Sequence, residues 1–89
     1  MSITVEISSY LRRFTDDKAA IEVEGITVGE CLSHLGEHFP ELKKAIFTDG
    51  RLQDFIGIYV NKEDAYPDEL AKPVKDGDTI QVLLIIDGG

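Results

Sequence analysis

The 89-residue sequence has one cysteine, three prolines, no tryptophan and only 9 lysines and arginines against 17 aspartates and glutamates. A single cysteine excludes an internal disulfide, a four-cysteine zinc site and a cysteine-ligated iron–sulfur cluster. The net charge of -8 argues against phosphate backbones and anionic lipid as ligands, because both are bound by clustered basic residues that replace counterions. Neither nucleic acid nor a membrane is therefore expected as a partner, whereas a basic protein surface is. The longest purely aliphatic run, Val82 to Ile86, is far below the roughly 20 residues of a bilayer-spanning helix. The N-terminus shows no basic start followed by an apolar stretch, so a cytoplasmic chain is predicted. No repeat, low-complexity tract or linker is present, and the length suits one domain with one hydrophobic core.

The apolar residues that are present fall into clear periods. Ile3, Val5 and Ile7 alternate with Thr4 and Glu6, the period-two pattern of a half-buried strand. After a polar, turn-like stretch from Ser8 to Asp17, alternation resumes over Lys18 to Glu24, which predicts a hairpin. Thr27 stands three residues before Glu30, the capping-box spacing that opens a helix. Val28, Leu32, Leu35 and Phe39 make its apolar stripe, and Pro40 ends it. Glu41 to Phe47 adds one or two weaker helical turns before the Asp49-Gly50 turn. Ile56, Ile58 and Val60 predict a third strand. Lys62 to Lys75 reads as a long connection with at most a short edge strand near Leu70. Asp76-Gly77-Asp78 is a turn, and Thr79 to Ile86 is the last strand. The order is that of an α+β fold, one sheet with a helix across one face.

The matching pieces are Thr27-Val28-Gly29-Glu30 with Leu32 and Leu35, then Phe39-Pro40-Glu41-Leu42, Ile58-Tyr59-Val60-Asn61, Asp76-Gly77-Asp78 and the terminal Gly88-Gly89. Together they resemble the β-grasp, ubiquitin-like sulfur carriers of the MoaD/ThiS family across essentially the whole chain. The length and the Ile58–Asp64 segment are most similar to the longer members, the small subunits of molybdopterin synthase and the carriers for cysteine synthesis. The resemblance implies a β-grasp domain over 1–86, a mixed sheet with one main helix on one face, and a flexible Gly-Gly tail over 87–89. It further implies that the chain is a carrier and cosubstrate, not an enzyme. In this family an E1-like adenylyltransferase uses ATP and Mg²⁺ to convert the C-terminal carboxylate, here that of Gly89, into an acyl-adenylate. Sulfide or the persulfide of a sulfur donor protein then displaces AMP to leave a thiocarboxylate. The acceptor enzyme would be a molybdopterin synthase large subunit or of the cysteine synthase type. Gly88, without a Cβ, would let a thin tail deliver the reacting carbon. The chain itself is expected to bind no cofactor and no metal, and a small ferredoxin of the same fold is excluded by the cysteine count.

Outside the tail, Phe55, Tyr59, Leu83 and Ile85 alternate with the helix-facing residues and are expected to form an apolar docking patch on the outer sheet face. Cys31, His34 and His38 have helical spacing but no fourth ligand, so a half-buried cysteine and two surface histidines are expected rather than a zinc site. Arg12 and Arg13 read as a solvated loop pair. Two other functions share the same terminus: a ubiquitin-like modifier joined to lysines through Gly89, and a non-catalytic subunit held permanently by molybdopterin synthase.

Overall fold

The computed structural model describes residues 2–85. Strands β1 (Ser2–Ile7) and β2 (Ala20–Glu24) form the predicted antiparallel hairpin, with Ser2 opposite Glu24 and Glu6 opposite Ala20. Helix α1 (Val28–His38) follows, then α2 (Pro40–Ile46), β3 (Phe47–Thr48), β4 (Arg51–Leu52), β5 (Ile56–Val60), β6 (Glu63–Asp64) and β7 (Thr79–Leu84). The main sheet has the order β2-β1-β7-β5-β6. Its central pair, β1 and β7, is parallel, while β7–β5, β5–β6 and β1–β2 are antiparallel, so the sheet is mixed.

Period two decides which side chains meet the helices. Ile3, Val5, Ile7, Ile58, Ile80 and Val82 point inward and join Val28, Leu32 and Leu35 of α1 and Leu42 and Ile46 of α2 in one core. The Thr27 hydroxyl accepts from the Glu30 N–H at 3.1 Å, as the spacing predicts. The Glu30 carboxylate, however, accepts from the Ile26 N–H at 3.2 Å rather than that of Thr27. Pro40 ends α1 and, lacking an N–H, also serves as the first residue of α2.

Three details depart from the expected elements. Ser9–Phe14 is a 3₁₀ helix that buries Leu11. Phe47–Leu52 is a small separate hairpin, turned by Asp49 (φ 52°) and Gly50 (φ 77°), two left-handed residues that match the twist of a two-residue hairpin. The edge strand lies at Glu63–Asp64, and Glu69–Ala71, where at most a short edge strand is expected, is instead a 3₁₀ helix. The last strand is hydrogen-bonded in the sheet from Thr79 to Leu84. Ile86 and the tail 87–89, with Gly88 and Gly89, lie outside the described residues.

Candidate functional site

The outer sheet face divides into two halves. On the β1–β2 side it carries Thr4, Glu6, Glu22 and Glu24, and the Gln81 amide donates to Glu6 at 3.1 Å. On the β5–β7 side it is apolar. Gly57 stands opposite Leu83 in the ladder, and Tyr59 opposite Gln81. A Cβ on Gly57 would lie 2.9 Å from Cγ1 of Ile85 and 3.9 Å from Cε1 of Tyr59, so Ile85 lies across the glycine with the Tyr59 ring beside it. The Ile85 N–H donates to the Phe55 carbonyl at 2.7 Å, which fixes Phe55 next to it. Ile85 and Phe55 are 54% and 47% exposed, and Tyr59 and Leu83 are half-buried. The four residues expected on one face are therefore brought together, at the end of the strand that leads to the tail.

The polar end of the same strand pair is locked. Asp78 accepts from the Asn61 amide at 3.0 Å and from the Lys75 N–H at 2.9 Å. Asn61 (φ 51°) in turn accepts from the Thr79 N–H at 3.0 Å. The bond from Asn61, aided by that from Lys75, holds the Asp78 carboxyl below its ordinary value.

Cys31 is fully buried, not half-buried as expected, because α1 turns that side onto β2. Burial, with the Glu30 carboxylate adding to it, pushes its thiol above the ordinary value, so it is a poor nucleophile. His34 is also less exposed than expected: its Nδ1 accepts from the Glu24 N–H at 2.9 Å, tying α1 to the sheet edge. The Nε2 atoms of His34 and His38 are 3.3 Å apart. With Nδ1 used as an acceptor, neutral His34 carries its proton on Nε2, which a metal would need free. Arg12 is not a solvated loop residue either, since its Nε donates to the Ile7 carbonyl at 2.9 Å. Arg13 lies over the Phe14 ring, 5.9 Å from the centroid.

A groove of about 560 Å³ adjoins the apolar half, bounded by the β4–β5 turn, β6 and the 3₁₀ helix Glu69–Ala71. Gly57, Tyr59 and Ile85 line it as well as the face, and Tyr66, 73% exposed, stands on its edge. Sequence reading missed Tyr66 because it falls in an aperiodic, polar connection. Its position follows from tertiary contacts, the β5–β6 pairing and the bond from its own N–H to the Asp64 carboxylate at 2.9 Å.

A mixed sheet grasping one long helix, with an apolar outer corner beside its last strand, is the β-grasp of ubiquitin-like proteins. The chain belongs to the ThiS family, whose model matches residues 5–89. It is 31% identical to the sulfur carrier protein CysO of Mycobacterium tuberculosis over 93 aligned positions that cover both chains completely. Among solved structures it is similar to the Amycolatopsis orientalis BexX/CysO complex, with a TM-score of 0.88 and 34% identity over 98% of this chain and 99% of the other. It also resembles the small archaeal modifier protein 1 of Methanosarcina acetivorans, with a TM-score of 0.86 and 26% identity over 99% and 96% of the two chains. A carrier rather than an enzyme is in keeping with these relatives, and no helix among the described residues is long and apolar enough to cross a membrane.

Proposed function

We propose that this protein carries sulfur as a thiocarboxylate on Gly89, and that the apolar corner formed by Phe55, Tyr59, Leu83 and Ile85 docks the adenylyltransferase that activates it. The reading rests on the end-to-end likeness to CysO, a sulfur carrier. The carboxylate of Gly89 attacks the α-phosphorus of ATP on the partner, which supplies Mg²⁺, and pyrophosphate leaves. Hydrosulfide then attacks the acyl carbon and AMP leaves, so that one carboxylate oxygen is replaced by sulfur. A persulfide of a sulfur donor protein serves in the same way: it displaces AMP to give an acyl disulfide, and a second thiol then attacks the donor cysteine's sulfur, forming a disulfide with it and releasing the thiocarboxylate. The buried, protonated Cys31 is a poor site for the sulfur, which supports the terminus as its place. The acceptor is an enzyme of the cysteine synthase type or a molybdopterin synthase large subunit.

The test is intact-protein mass spectrometry after incubation with the adenylyltransferase, ATP, Mg²⁺ and sulfide. The expected product has one oxygen exchanged for sulfur at Gly89, and removing Gly89 or extending the chain past it abolishes the exchange. Gly88→Ala is expected to bind the partner and react slowly, because misplacing the acyl carbon by about 1 Å costs on the order of a hundredfold. A chain that gains sulfur equally well without Gly89 refutes the reading. A second reading, conjugation of Gly89 to target lysines, is favoured by the likeness to the archaeal modifier. A branched lysine adduct in place of the thiocarboxylate would identify it.

A further inference from the structure

The groove beside the apolar corner is rimmed by Asp54, Asp64, Asp68 and Glu69, against the single guanidinium of Arg51. None of these four carboxylates is in an ion pair among the described residues, and Asp54, Asp68 and Glu69 accept no side-chain hydrogen bond either. The floor is apolar: Ile56, Gly57 and Leu70, with Ile85 and the Tyr59 ring at the side shared with the outer face. We propose that this groove receives a segment of the adenylyltransferase bearing a lysine or arginine next to an apolar side chain. The proposal rests on the reading of Gly89 as the adenylated residue, and it adds a charged subsite to the apolar corner.

Charge selects this occupant over the others. The chain's own end carries Asp87 and the Gly89 carboxylate, so the carboxylates of the rim repel it. A second copy brings a net charge of -8 and is repelled too. An apolar segment alone leaves four carboxylates facing it with only Arg51 to balance them, whereas a cation there gains their combined field within a Debye length of about 8 Å. The Tyr66 and Tyr59 rings add faces on which a guanidinium stacks well. Because the floor is continuous with the apolar corner, one partner element can fill the groove while another covers Leu83 and Phe55.

The experiment is steady-state pyrophosphate release with the adenylyltransferase of the same organism, varying the carrier concentration at low and high salt. Asp54→Lys/Asp68→Lys is compared with Glu37→Lys/Glu41→Lys, which makes the same change in net charge on the helical side; thermal melts check that both are folded. The groove variant is expected to raise KM about tenfold at low salt with kcat unchanged, an effect that shrinks at high salt as electrostatic steering is screened. The helical variant should raise KM much less. Equal KM values for the two variants, or a groove variant indistinguishable from wild type, overturn the groove proposal while leaving the carrier reading intact. A wild-type chain that releases no pyrophosphate overturns both.

Discussion

The two faces of the same strands are built to different ends. Inward, Ile58, Ile80 and Val82 are fully or almost fully buried against α1 and α2, and period two accounts for each of them. Outward, the same rule asks only for side chains that tolerate water, and the β1–β2 half obeys it with Glu6, Glu22 and Glu24. The β5–β7 half does not, since Tyr59, Leu83 and Ile85 crowd around Gly57. Apolar area left exposed there adds nothing to folding that a polar residue would forfeit, which is what the docking proposal accounts for. Burial explains the inner face, and the docking role proposed above accounts for the outer corner.

The comparison breaks most visibly if the inner face is cut. Ile58 is fully buried, so Ile58→Ala leaves a cavity in the core, and large-to-small changes of this kind cost about 2–5 kcal/mol. Chemical denaturation should show that loss, with docking altered only as far as folding is. A loss below about 1 kcal/mol would mean that the core collapses freely around β5.

The opposite pattern is expected outside. Leu83→Asp should leave stability within about 1 kcal/mol, as for most surface substitutions. Its effect on adenylation should be large, since truncating a central anchor commonly costs about 2 kcal/mol of binding, roughly thirtyfold in KM. Tyr59→Ala should behave alike. Wild-type adenylation by folded Leu83→Asp and Tyr59→Ala proteins would place the docking surface elsewhere and erase the distinction between the faces.

The division was largely legible from the residues, because each of its strands keeps period two over five or six positions. Ile3, Val5 and Ile7, and likewise Ile80 and Val82, declare the inner face, and the residues between them declare the outer. The short elements were not legible. Strands of two residues, such as Phe47–Thr48 and Glu63–Asp64, are too short to show a period, and tertiary pairing rather than propensity makes them. The groove was invisible for a related reason. Asp54, Asp64 and Asp68 look like turn residues one by one, and only the tertiary fold, with the turn before β5, strand β6 and the 3₁₀ helix Glu69–Ala71, gathers them around a common floor. Helix geometry alone puts Cys31 and His34 nearer solvent than they lie, because it does not tell how closely α1 packs on β2.

The two ends of the β5–β7 pair differ as well, and pH separates them. Hydrogen bonds from Asn61 and Lys75 favour the charged form of Asp78, so its folded-state pKa lies below the ordinary 3.8. A depressed carboxyl stabilises the fold above its unfolded pKa, and that contribution is lost as pH falls through the folded value. Acid titration of stability should therefore show a loss beginning below about pH 4 that is smaller in Asp78→Asn. An identical acid limb in both proteins would show that the Asn61–Asp78 lock is not what holds this end.

Gly57 lies where the two requirements meet, and its substitution should have the smallest effect on the fold. A Cβ there points outward, 2.9 Å from Cγ1 and 3.1 Å from Cδ1 of Ile85, atoms of an exposed side chain that can rotate away. Glycine in a strand costs about 0.5–1 kcal/mol relative to alanine, which offsets the strain of moving Ile85. Gly57→Ala should thus melt within a few degrees of wild type. Docking should respond differently, because Ile85 no longer lies flat beside Tyr59 and the floor of the groove rises by a methyl group. A severalfold rise in KM, less than that of Leu83→Asp, is expected, and Gly57→Val should exceed Gly57→Ala because its larger side chain displaces Ile85 further. If both variants are adenylated at the wild-type KM, the partner does not touch the Tyr59–Ile85 ridge. If Gly57→Ala instead unfolds the chain, the glycine belongs to the packing of the sheet, and the boundary between the two faces lies closer to solvent than the ladder suggests.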